Sequence, residues 1–138
     1  MISIILGHKG SGKTKRLVNC VNECLETSKG NVVCIEKETK LTYDVNYQAR
    51  LIAASEYGIK GYDSFYGFLA GICACNHDIT DILLDATLRI GGRDYAELAT
   101  FLEKVYELSQ VNEKNFIFTI SADQDELPKS IFNYCKVL

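Results

Sequence analysis

The chain has 138 residues, 47% of them apolar and 24% charged, which suits one folded domain over residues 1–138 with a core of useful size. A net charge of −3, with Lys9, Lys13, Lys15 and Arg16 as the one basic cluster, argues against a nucleic-acid surface. The longest uncharged apolar stretch, Phe65–Cys75, is too short to span a bilayer. Met1 leads directly into an apolar run and leaves no room for a signal peptide, so the expected compartment is the cytoplasm.

Ile2–Leu6 reads as a short buried strand. It runs straight into Gly7-His8-Lys9-Gly10-Ser11-Gly12-Lys13-Thr14, a full match to the phosphate-binding pattern G-x-x-x-x-G-K-[ST]. Gly10 and Gly12 can supply the positive φ angles that fold backbone N–H groups around a polyphosphate. The helix that opens at about Lys13 adds the positive end of its dipole. Lys13 is placed to reach the β- and γ-phosphates, and the Thr14 hydroxyl to coordinate Mg²⁺. Residues 7–15, Lys15 included, are therefore the expected nucleotide-binding segment. On these residues the chain resembles the P-loop NTPase superfamily, which implies ATP and Mg²⁺ as ligands. A guanine-reading Asn-Lys-x-Asp motif does not occur in the sequence, so adenine is the expected base.

The first helix should run from Gly12 to Lys29, ended by Gly30. Asn31–Glu36 reads as the second strand, and Lys37–Asn46 as a surface loop. Tyr47–Tyr57 has helical spacing through Leu51, Ile52 and Ala54. Asp63 and Ser64 are N-cap candidates for a helix over Phe65–Cys75, with Phe65, Phe68, Leu69 and Ile72 facing the core. Thr80–Asp85 is the third strand. Asp94 and Glu97 form a capping-box pattern opening a helix to about Gln110, with Leu98, Phe101, Leu102, Val105 and Leu108 on its buried face. Asn115–Ile120 is the fourth strand. Its run of large apolar residues needs cover on both faces, which places it between the first and third strands. Pro128 suits the start of a short helix to about Tyr134, with Lys136–Leu138 as a last strand. Strand–helix alternation of this kind predicts an α/β fold: a three-layer sandwich around a mostly parallel sheet of about five strands, as in P-loop proteins.

Ile82-Leu83-Leu84-Asp85 resembles a Walker B strand, in which a carboxylate at the strand's end faces the phosphate loop and serves the metal. Asp81 is the fallback, at the far end of that strand. The resemblance also exposes what is missing. Ala86 stands where many hydrolysing members carry a water-activating Glu. Glu36, ending the second strand, is the candidate replacement; in several P-loop small-molecule kinases an acid there serves the substrate hydroxyl. Arg89 and Arg93 flank Ile90-Gly91-Gly92 and could reach a γ-phosphate, although a flexible surface loop describes this segment better. Ser121 is the candidate γ-phosphate sensor, with Thr119 beside it; small polar residues also end strands for turn chemistry alone.

Six cysteines in a reducing compartment point to packing rather than disulfides. Cys73-Ala-Cys75-Asn-His77 lacks the paired spacing of a zinc site and reads as small buried hydrophobes. The expected function is Mg-ATP binding with weak or partner-stimulated hydrolysis. The alternatives are a nucleoside-type small-molecule kinase and a nucleotide-gated binding module without turnover. Beyond ATP, the expected partner is an unidentified protein or small molecule, with no nucleic acid and no membrane.

Overall fold

The computed structural model describes residues 2–38 and 44–138. Six strands and four α-helices follow one another along it: β1 (Ile2–Leu6), α1 (Lys13–Thr27), β2 (Asn31–Glu36), β3 (Arg50–Ala53), α2 (Tyr62–Cys75), β4 (Ile79–Asp85), α3 (Thr87–Gly91), α4 (Tyr95–Asn112), β5 (Asn115–Ile120) and β6 (Cys135–Val137). Short 3₁₀ segments occupy Ala54–Tyr57, Gln124–Glu126 and Lys129–Asn133. The strands form one sheet in the order β3-β2-β4-β5-β1-β6, and every pairing is parallel.

Alternation along the strands divides the core in two. Ile2, Ile4, Val33, Ile35, Ile82, Leu84, Phe116 and Phe118 meet side chains of α2 and α4 on one face, Phe65, Leu69, Phe101 and Leu102 among them. Their neighbours Ile5, Val32, Cys34 and Leu83 meet Leu17 and Val21 of α1 on the other. This arrangement is consistent with a three-layer α/β sandwich. An aromatic cluster centres the larger core: Phe65 stacks on Phe101 at 4.9 Å, and Phe101 meets the edge of Phe118 at 5.7 Å.

β5 lies between β1 and β4, as its apolar run requires. Phe118 pairs in register with Ile4 on one side and Leu84 on the other. The sheet exceeds the five strands expected because residues 50–53 pair with β2, from Val33↔Arg50 to Glu36↔Ala53. The helical reading of Tyr47–Tyr57 fails here. Leu51 and Ile52 pack against opposite cores, the period-2 signature of a strand, and a four-residue edge strand is too short to announce that period in the sequence.

Helix ends differ in smaller ways. Gly61, at φ +86°, caps α2 rather than Asp63 or Ser64. Ser64 lies within the first turn, where its Oγ accepts the Lys60 N–H at 3.0 Å. Asp94 does cap α4, accepting from Ala96 N at 2.9 Å and Glu97 N at 3.1 Å. The expected helix after Pro128 is a 3₁₀ segment, and the last strand begins one residue early, at Cys135. The loop expected over 37–46 lies partly outside the described residues. No helix among the described residues is long and apolar enough to cross a membrane.

These contacts set a stability ranking. Phe118→Ala, which empties a fully buried site, should cost about 3–5 kcal/mol. Asp94→Ala, which removes an exposed cap, should cost about 1 kcal/mol. Denaturant midpoints at equal m-value check the order.

Candidate functional site

Because all strands run the same way, their carboxyl ends share one edge of the sheet. Side-chain parity then decides which residues meet there. Glu36 follows Val32 and Cys34 on the α1 face of β2; Asp85 follows Leu83 on β4; Thr119 follows Ile117 on β5. The segment 7–14 connects β1 to α1 across this edge. The result is a cavity of about 890 Å³ lined by His8, Lys9, Gly10, Gly12, Lys13, Thr14, Asp85, Ala86, Arg89, Arg93 and Ser121.

The segment has the conformation its glycines allow. Gly10 and Gly12 stand at φ +87° and +86°, and Gly12 is the N-cap of α1. Gly7, at φ +144°, has no room for a side chain: a Cβ there would lie 2.3 Å from Ser11 Oγ. Ser11 N donates to His8 O at 3.1 Å, closing the turn. Gly7, Ser11 and Lys15 shape the segment or flank it without lining the cavity.

Lys13 and Asp85 are the two charges at the centre. Lys13 is buried, and its Nζ donates to His8 O at 3.2 Å. Burial lowers its pKa, and the negative charge of Asp85 acts in the opposite direction. Asp85 accepts from Thr119 Oγ1 at 2.6 Å and from Thr14 Oγ1 at 3.2 Å. A hydroxyl and a carboxylate so close make an oxygen donor set of the kind Mg²⁺ takes. Asp81, at the other end of β4, is buried and accepts from Ser28 and Thr80 hydroxyls and from Asn115 Nδ2 at 3.2 Å. It fastens α1's end to the sheet and is remote from the cavity.

Glu36 pairs in register with Asp85 but is 3% exposed, already has an interaction partner, and does not line the cavity. Arg89 and Arg93 do line it. The loop expected between them is instead the short helix α3, ended by Gly92. Arg89 pairs with Glu38 at 3.3 Å while its carbonyl accepts from Lys37 Nζ at 2.9 Å. Packing against Tyr62, rather than local glycine freedom, decides this segment: a Cβ on Gly91 would lie 2.1 Å from the Tyr62 ring.

A tether that the sequence did not announce joins the loop to the segment after β5. His8 Nε2 bonds Glu126 Oε1 and lies 3.5 Å from Asp123 Oδ2. Gly7 N also donates to Ala122 O at 3.1 Å. The Asp123 N–H and His8 together hold the Glu126 carboxyl below its ordinary pKa. The available signal was the Asp123-x-x-Glu126 spacing, which forms a complete capping box.

No protein-family model and no curated protein matches this chain.

Cys73, Cys75 and His77 do not converge as ligands; among the described residues, His8, Asp123 and Glu126 are the trio close enough to share an ion. Cys73 is buried, as expected, whereas Cys75 is exposed at the end of α2. Burial pushes the Cys24, Cys34 and Cys135 thiols up to about 12, so they stay protonated and unreactive near neutral pH. Cys20 and Cys73 shift the same way. A thiol-specific chromogenic reagent at pH 8 should therefore label Cys75 rapidly, the half-buried Cys20 and Cys24 more slowly, and Cys34, Cys73 and Cys135 only after unfolding.

Proposed function

We propose that the chain is a P-loop Mg-ATP-binding protein whose hydrolysis is weak until a partner or substrate completes the site. The observation that carries this reading is the meeting of Lys13, Thr14 and Asp85 at one strand edge, under a loop with left-handed glycines at 10 and 12. The N–H groups of the loop and the first turn of α1 would bind the phosphates, with Lys13 as the point charge between the β- and γ-phosphates. Thr14 and Asp85 would hold Mg²⁺, which when bound neutralises charge on the phosphoryl oxygens. Ser121, in the cavity wall, suits contact with the terminal phosphate, and Thr119 holds Asp85 in place.

Hydrolysis needs a water deprotonated as its oxygen attacks the γ-phosphorus, with ADP leaving on the opposite side. Asp85 is engaged by two hydroxyls, and Ala86 has no group to orient that water. Glu36 is the next carboxylate along the edge, but it is buried and engaged. Turnover by the protein alone should accordingly fall below about 1 s⁻¹. The interposition of β5 between β1 and β4 weighs towards an ATPase and away from the small-molecule kinase alternative, for which direct pairing of those strands is the expectation. The cytoplasm remains the proposed compartment.

Isothermal calorimetry with MgATP tests the binding. Lys13→Ala should weaken affinity at least tenfold, about 1.4 kcal/mol or more; unchanged affinity overturns the reading. For turnover, Glu36→Gln should lower the residual release of labelled phosphate by about tenfold or more if Glu36 is the base. Hydrolysis at tens per second, abolished by Lys13→Ala but untouched by Glu36→Gln, would place the base elsewhere.

A further inference from the structure

Arg89 in the cavity lining belongs to α3, a helix of five residues that is too short to be stable by itself. Its position comes from contacts with the start of α2. Gly61 N donates to Ile90 O at 2.9 Å. The Tyr62 hydroxyl donates to Gly92 O at 2.7 Å, and the Tyr62 ring covers Gly91 so closely that no side chain fits there. Tyr62 is itself held: it is 8% exposed, and its ring packs on Phe101 of α4 at 5.0 Å. Burial raises the pKa of its phenol, so the hydroxyl remains a donor throughout the working pH range.

Gly92 is the hinge that matters. It stands at φ +116° and ends α3, and the peptide that follows it carries Arg93 into the cavity wall. A hydrogen bond to the Gly92 carbonyl therefore fixes the plane of the peptide from which Arg93 departs. Without it, Arg93 would leave a glycine pair with wide freedom, and ordering the side chain against a developing charge would first cost conformational entropy.

We propose that Tyr62 is a positioning residue for the transferring phosphoryl group, acting through Gly92 to hold Arg93 where charge develops. The proposal rests on the nucleotide-binding reading of the cavity. It also makes the hydroxyl separable from the ring, because the ring packs in the core whereas the hydroxyl serves Gly92.

The test compares MgADP with MgADP plus aluminium fluoride, whose complex mimics the transferring phosphoryl group, by calorimetry on the whole chain. Tyr62→Phe should keep MgADP affinity within about twofold and weaken the fluoride complex by about three- to tenfold. Arg93→Ala should show the same split, and the double variant should lose no more than either single one. A residue that merely stabilises the fold would lower both affinities together and depress the unfolding midpoint. If the phenylalanine variant is destabilised, Arg93→Ala, at an exposed position, carries the comparison, and equal losses of both affinities in it overturn the proposal. Wild-type affinity for the fluoride complex in Tyr62→Phe, or additive losses in the double variant, overturns the proposal. Failure of the wild type to bind MgADP overturns it together with the reading beneath it, and is a distinct result.

Discussion

The carboxylate of Asp85 is the point on which the arrangement depends. It accepts from Thr119 on β5 and from Thr14 in the first turn of α1, so one side chain ties together the strand that bears it, its neighbour and the helix above. Each link needs another feature of the fold. Thr119 can reach Asp85 because β5, and not β1, is the neighbour of β4. Thr14 can reach it because the glycine turn brings α1 back over the strand that it follows. A carboxylate here also favours the charged form of Lys13, whose burial works against it.

The two aspartates of β4 show how position on one strand separates structure from chemistry. Asp81 and Asp85 lie on the same face, four residues apart. Asp81 is 5% exposed and receives donors from α1's end, from β4 itself and from β5. With its lone pairs occupied by protein donors, it acts as a fastener. Asp85 faces the cavity and is bonded by two hydroxyls that can turn or exchange. Asp81 also accepts from two hydroxyls, so the difference lies in burial: its network is closed off, whereas Asp85 and its donor Thr14 line a cavity where a metal ion or a water could displace that hydroxyl.

Much of this was legible in the sequence wherever a long pattern spoke. The glycines of residues 7–14, the apolar run of β5 and the capping aspartate of α4 each carry a local physical requirement that no tertiary contact needed to supply. The central placement of β5 followed from Phe116 and Phe118 needing cover. What stayed hidden had short or nonlocal causes. β3 is four residues long, and its pairing with β2 is a tertiary fact. Asp63 and Ser64 have capping chemistry, but Gly61 can take the positive φ that the entry to α2 demands. Arg89–Arg93 carries two glycines, which locally signal freedom; Tyr62, thirty positions upstream of Gly92, removes it. Glu36 ends the strand where expected, yet burial there depends on neighbours the sequence does not name.

The distribution of charge bears on the proposed anionic ligand. In a chain of net charge −3, Lys9, Lys13, Arg89 and Arg93 converge on one cavity that Asp85 alone balances among its lining side chains. The lowered pKa of Lys13 reflects the cost of taking an ammonium out of water, with Asp85 acting against it. Under the proposed reading, a polyphosphate in the cavity would favour the charged form of Lys13 and stabilise the folded chain in proportion to the logarithm of its free concentration.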